Sequence, residues 1–134
     1  MQQIPGLFIA PSDLGGRGVF TSQTIEKGSL IELAPVIVLP KKDMKLIHET
    51  HLHDYYFRWN EGWVDCAIAL GYGSLYNHSF QPNARFECDF GNKTLDIYCH
   101  KNIEAGTEIT INYNGEIDNQ TPLWFHKNGK KNAE

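Results

Sequence analysis

The stretch that decides the fold is Gly71-Tyr72-Gly73-Ser74-Leu75-Tyr76-Asn77-His78-Ser79-Phe80-Gln81-Pro82-Asn83. Its Gly, Asn, Ser and Pro residues are turn formers, and the plain reading is an ordered turn. A turn alone does not account for two Tyr, a His and two Asn gathered within it. Downstream, Ala84 to Gly91 alternates strictly. Phe86, Cys88 and Phe90 face one way and Arg85, Glu87 and Asp89 the other, the pattern of a half-buried antiparallel strand. Gly91-Asn92 then turns the chain into Thr94 to Cys99, where Leu95, Ile97 and Cys99 share a face, so a hairpin is predicted. Glu108 to Tyr113 reads as a further strand with Ile109, Ile111 and Tyr113 on one side.

Upstream, the apolar run Leu30 to Leu39, stopped by Pro40, reads as a buried strand. Met44, Ile47 and His48 sit at helical spacing, and the sequence predicts a short helix over Lys41 to His53. An aromatic-rich segment, Asp54 to Trp59, precedes a predicted strand at Trp63 to Leu70. The phrase Ile25-Glu26-Lys27-Gly28-Ser29 is echoed by Ile103-Glu104-Ala105-Gly106-Thr107, but two copies fall short of the roughly three units a repeat protein needs. The expected fold class is mainly β, a β-rich α+β domain of short antiparallel strands with little helix.

The 134 residues, 41% hydrophobic and 21% charged, suit an ordered globular domain and exclude a low-complexity chain. Twelve basic and 16 acidic residues leave a net charge of −4. The basic cluster Lys127, Lys130, Lys131 is confined to the end of the chain, which argues against nucleic acid as a partner and for a cationic one. Cys66, Cys88 and Cys99 are widely spaced and form no C-x-x-C pair, so neither a disulfide framework nor a thiolate zinc site is expected. No run approaches 18 apolar residues, and the start carries no charged leader. A soluble intracellular protein with no membrane partner is expected.

Three more segments are candidates for chemistry. Gly15-Gly16-Arg17-Gly18 lies just before a strand and allows close backbone approach to a ligand; it is no dinucleotide fingerprint, since no helix follows. Tyr113 ends a strand on its apolar face, as a core tyrosine or a catalytic one would. Trp124-Phe125 places two large aromatics in a polar segment, either docked on the core or lying over a ligand.

Together these segments resemble the SET-domain protein lysine methyltransferases. Gly16-Arg17-Gly18-Val19-Phe20 is similar to the family's first cofactor motif, Asn77-His78-Ser79 with Pro82-Asn83 to its N-H-S-x-x-P-N signature, and Glu108 to Tyr113 to its E-[LI]-x-x-x-Y motif. The resemblance implies a SET fold with a knot-like C-terminal threading. Residues 1–126 are then one catalytic domain and 127–134 a polar tail. It also implies methyl transfer from S-adenosylmethionine to a lysine ε-amine of a basic protein or peptide, releasing S-adenosylhomocysteine, with no metal.

By resemblance, Tyr113 is catalytic, and Gly16, Arg17, Gly18, Asn77, His78 and Phe125 hold the cofactor. Tyr56, Tyr76, Phe86, Tyr113 and Trp124 wall the substrate channel. Two departures stand out: Ser74-Leu75 replaces the Arg-Phe pair frequent before the N-H-S, and no cysteine cluster follows the catalytic motif, so the chain looks like a minimal, free-standing member of the bacterial and viral type. The competing reading is an inactive SET-like module that binds a lysine-bearing peptide or the cofactor. A metal site at His48-Glu49-Thr50-His51-Leu52-His53-Asp54 fits less well, because the spacing is not that of an H-E-x-x-H helix.

Overall fold

The alternation at 84–99 folds as read. In a computed structural model that describes residues 2–120, strand β7 (Ala84–Asp89) pairs antiparallel with β8 (Thr94–Cys99), Ala84 opposite Cys99 and Asp89 opposite Thr94. Strand β3 (Leu30–Leu39) lies on the other side of β8 with a register shift between Leu30 and Glu32. Beyond β3 come β5 (Asp65–Ala69) and β4 (Tyr56–Trp59), giving the order β4-β5-β3-β8-β7. A second sheet has the order β1-β2-β9-β6, from β1 (Leu7–Pro11), β2 (Arg17–Thr21), β9 (Glu108–Ile111) and β6 (Asn77–His78). The β6–β9 pair is parallel, unlike the other strand pairs described.

Val19, Ile31, Trp59, Leu95, Ile97, Ile109 and Ile111 are all at 0% exposure between these strands. Each side chain of that size contributes about 1.5–3 kcal/mol on burial. β9 is buried on both faces, since Thr110 is enclosed as well as Ile109 and Ile111.

The two echoed phrases pair with each other. Ile25 and Ile103 exchange backbone hydrogen bonds of 2.8 and 2.9 Å. The Gly28 N–H donates to the Cys99 carbonyl at 2.8 Å, and the Gly106 N–H to the Thr21 carbonyl at 2.6 Å. Gly28 and Gly106 both hold a left-handed backbone, φ +88° and +89°, which tolerates no side chain cheaply. The similarity is therefore a local two-fold exchange of turns that ties the start of β3 to the end of β8.

Boundaries differ from the sequence reading in places where local chemistry intervenes. The helix α1 spans Lys41–His48 only. Thr50 ends it: the Thr50 hydroxyl donates to the Ile47 carbonyl and accepts from the Leu52 N–H, starting a separate 3-10 turn over His51–Asp54. The predicted strand at Trp63 begins at Asp65, because Trp63 is held at φ +57°. β9 stops at Ile111, where Asn112 closes a turn by accepting the Gly115 N–H on its carbonyl. Trp124, Phe125 and the 127–134 segment lie outside the described residues.

Candidate active site

The glycine-rich segment is the tip of the β1–β2 hairpin. Ser12 and Gly16 are joined by a 2.9 Å backbone hydrogen bond, and Gly16 has φ +60°. Asn77, only 1% exposed, reaches this hairpin from β6: its side-chain amide donates to the Arg17 carbonyl at 2.9 Å and to Glu108 Oε2 at 2.8 Å. The other oxygen of Glu108 accepts from the Ser12 hydroxyl at 2.6 Å. Gly18 sits directly under this group; a Cβ there would collide with the Glu108 carboxylate and lie 2.8 Å from Asn77 Nδ2. Three segments remote in sequence thus share one hydrogen-bonded cluster.

Asn83, the last residue of the signature, has a scaffolding position. Its amide donates to the Glu108 carbonyl at 2.8 Å and its Oδ1 accepts from the Thr110 N–H at 2.8 Å, so one side chain stands in for a strand partner of β9.

Tyr113 is fixed from two directions. Its backbone N–H donates to His78 Nδ1 at 3.0 Å, which requires a lone pair on that nitrogen and puts the proton of a neutral ring on Nε2. Its hydroxyl donates to the Tyr76 carbonyl at 2.6 Å. A carbonyl can only accept, so the phenolic proton is committed there and the oxygen presents lone pairs. The rings of His78 and Tyr113 lie 5.2 Å apart.

The Tyr113 ring also lines a groove of about 790 Å³. Phe86 packs edge-on to Phe57 in its wall, ring centroids 5.4 Å apart. Tyr56 lines it too; its hydroxyl meets His48 Nδ1 at 3.0 Å, and burial pushes its pKa up against the opposing pull of Arg58. Gly16, Arg17, Gly18 and Asn77 do not line this groove. Tyr113 joins the two regions, with its backbone on His78 and its ring in the groove wall.

Tyr76 behaves differently from a simple wall residue. It touches the groove, yet its side chain is 1% exposed and its hydroxyl donates at 2.7 Å to Glu32, a carboxylate itself 1% exposed. Burial raises the Tyr76 pKa well above the ordinary value, and the Glu32 charge adds to this. What Tyr76 offers Tyr113 is its carbonyl.

Glu32 was not singled out by the sequence reading. It sits in an apolar run where an alternating strand would put its side chain in solvent. Beyond Tyr76, it accepts from Gln3 Nε2 at 2.8 Å and the Tyr72 N–H at 3.0 Å, which fixes the backbone leading into Asn77. Glu32→Ala removes the acceptor for all three donors. The expected cost is about 3 kcal/mol, from unsatisfied buried donors plus a cavity. Denaturant melts compared with wild type check it, and a loss below about 1 kcal/mol contradicts it.

A SET-domain family model matches residues 16–114. That span contains every motif just described. The chain belongs to the SET-domain family. It is 32% identical over 120 residues to an H3 lysine-37 specific histone-lysine N-methyltransferase of Schizosaccharomyces pombe, covering 89% of this chain and 76% of that one. A 40-residue segment is 50% identical to the histone-lysine N-methyltransferase SET5 of Vanderwaltozyma polyspora; it covers 30% of this chain and 8% of that longer one. The crystal structure of a Plasmodium falciparum protein, described as a candidate histone methyltransferase, aligns at 31% identity with a TM-score of 0.67. The match covers 93% of this chain and 99% of that one.

The fold expected from the resemblance is therefore the fold observed. In this SET domain Asn77 ties two of the expected cofactor segments together at the Arg17 carbonyl, His78 next to it bonds the Tyr113 backbone, and Tyr56, Tyr76 and Phe86 line the groove that Tyr113 shares. The histidine segment is occupied locally. His53 Nδ1 is 2.8 Å from the Thr50 carbonyl and its Nε2 is 3.4 Å from Asp54, while His48 meets Tyr56. No grouping of three or more metal-ligating side chains occurs among the described residues. Burial raises the pKa of all three thiols, Cys88 to about 11, so none is a ready nucleophile at neutral pH. No helix of the described residues is long and apolar enough to cross a membrane.

Proposed function

We propose that this SET domain is a protein-lysine N-methyltransferase that takes its methyl group from S-adenosylmethionine and delivers it to a histone-type lysine. The observation that carries the reading is the position of Tyr113, bonded through its backbone to the N-H-S segment and through its hydroxyl to the Tyr76 carbonyl at the wall of an aromatic groove. The names of the relatives and the net charge of −4, suited to a basic substrate, support it.

The residues present fit the cofactor. The Gly16–Gly18 backbone, to which Asn77 is tied at the Arg17 carbonyl, and the His78 segment would hold its amino-acid end, and a Cβ at Gly18 would crowd that cluster. When bound, the cofactor supplies an electrophilic methyl on a sulfonium. The chain supplies alignment. A free lysine has a pKa of ~10.4, and an aromatic groove lowers it by desolvation, favouring the neutral amine that can attack. Tyr113, its hydroxyl hydrogen-bonded as donor to the Tyr76 carbonyl, orients that amine as an acceptor and is not a general base. The groove's aromatic faces favour a methylated ammonium over bulk water by cation–π attraction.

Phe86 has no hydroxyl to anchor a water where the growing methylammonium would turn, so di- or trimethylation is proposed as the outcome. Phe86→Tyr is expected to shift products toward monomethyl-lysine, read by mass spectrometry of the methylated protein. An unchanged product distribution removes Phe86 from this role.

Calorimetric titration with S-adenosylmethionine tests the cofactor half of the reading. Saturable binding displaced by S-adenosylhomocysteine supports it. Absence of binding, with and without a lysine-rich peptide, leaves the chain as a SET-like module without the enzyme's cofactor.

A further inference from the structure

The loop between β4 and β5 is built on positive-φ backbone. Asn60, Gly62 and Trp63 all have positive φ, at 65°, 76° and 57°. A tryptophan in the left-handed region pays about 1–2 kcal/mol relative to an ordinary backbone. The cost is met by dedicated contacts. Arg58 places Nε at 3.2 Å and Nη2 at 2.9 Å from the Trp63 carbonyl, and the Trp63 N–H donates to the Asn60 carbonyl at 2.9 Å.

The effect is to hold a large aromatic side chain 52% exposed. Its ring stands edge-on to Phe90 at 5.8 Å, and Phe90 stands edge-on to the fully buried Trp59 at 5.3 Å. An aromatic ladder thus runs from the core out to the indole. Trp63, Phe90 and Arg58 line the same groove as Tyr113. Strain stored beside a reactive groove, with an exposed tryptophan as its product, is how recognition surfaces are built.

The charge around the groove says what the indole meets. Asp54, Glu87 and Glu116 line it, against Arg58 and the histidines His48 and His53. Arg58 has its guanidinium turned onto the Trp63 carbonyl, and Asp54 lies beside His53. Glu87 is bridged by Arg85 at 3.0 Å. With Asp54 enclosed beside His53 and Glu87 bridged by Arg85, the exposed indole face and Glu116 are what this groove presents, and a cation suits both.

We infer that Trp63 is a specificity residue of this site: it takes an arginine or lysine side chain that flanks the methylated lysine in the substrate. This rests on the lysine methyltransferase reading and adds the second subsite of the same groove. Trp63 touches no part of the Tyr113 hydrogen-bonding set, so its role is selection and not catalysis.

The test uses the full chain with S-adenosylmethionine and a peptide library of fixed central lysine and randomised neighbours, read by mass spectrometry. Wild type, Trp63→Phe, Trp63→Ala and Trp63→Gly are compared. The glycine variant keeps the left-handed backbone without strain, so a folding failure in the alanine variant does not decide the result. Wild type is expected to enrich a basic residue at one flanking position by about tenfold. That enrichment is expected to fall in Trp63→Phe and vanish in Trp63→Ala and Trp63→Gly, with S-adenosylmethionine affinity unchanged. A flanking preference identical in all four proteins, or an apolar residue at the position that responds to Trp63, overturns the inference and leaves the methyltransferase reading standing. A wild type that binds S-adenosylmethionine but methylates nothing in the library overturns both.

Discussion

Tyr113→Phe is expected to lower methyl transfer by about 100-fold or more while leaving S-adenosylmethionine binding and the melting temperature near wild type. The substitution removes one oxygen and keeps the ring in the groove wall. The backbone N–H of residue 113 still bonds His78 Nδ1, so the local frame survives. What is lost is the polar atom that the Tyr76 carbonyl holds in place at 2.6 Å. Removing one preorganised polar contact from a transition state costs on the order of 10²–10³ in rate, against about 1 kcal/mol or less in stability for a half-buried hydroxyl. Single-turnover transfer paired with a calorimetric cofactor titration separates the two effects. A mutant transferring at the wild-type rate removes Tyr113 from the chemistry. A mutant that loses both transfer and cofactor binding makes the hydroxyl structural.

Gly18→Ala is expected to be the most damaging single methyl group that can be added to this cluster. The new Cβ enters space held by the Glu108 carboxylate and lies 2.8 Å from Asn77 Nδ2. Glu108 cannot swing aside freely, because Ser12 and Asn77 grip both of its oxygens. Overpacking of this kind costs about 1–3 kcal/mol, and displacing Glu108 also strands the buried Asn77 amide. Cofactor affinity is expected to fall at least tenfold, since the Arg17 carbonyl and the Asn77 side chain move together. Chemical denaturation and the same calorimetric titration read both losses. Wild-type stability with wild-type affinity would mean that the cluster yields and that Gly18 is not required there.

The parts of the molecule that were legible in the sequence are those where one face decides the pattern. The 84–99 hairpin alternates because one side packs inward and the other meets water, and its register follows from that alternation. The three motifs carrying Gly18, Asn77 and Tyr113 were legible as motifs. Their convergence depends on the parallel β6–β9 pair, which no local pattern encodes.

Glu32 was illegible because its burial depends on Gln3, Tyr72 and Tyr76, partners 29 to 44 residues away that no window around it contains. β1 escaped because a short strand at a sheet edge has weak periodicity. Tryptophan favours strands, so the sequence predicts one from Trp63; three hydrogen bonds to its backbone from within the same loop and strand end, two from Arg58 and one to Asn60, override that preference. The echo of Ile25–Ser29 in Ile103–Thr107 is visible in the sequence. The sequence could not reveal that each turn bonds the strand leading into the other.

Methyl transfer onto lysine is the activity proposed for this SET domain. Its most direct test is mass spectrometry of core histones incubated with the protein and S-adenosylmethionine carrying a heavy-isotope methyl. Labelled methyl is expected on lysine, present with wild type and nearly absent with Tyr113→Phe. Saturable binding of S-adenosylmethionine with no labelled lysine on any core histone would contradict it.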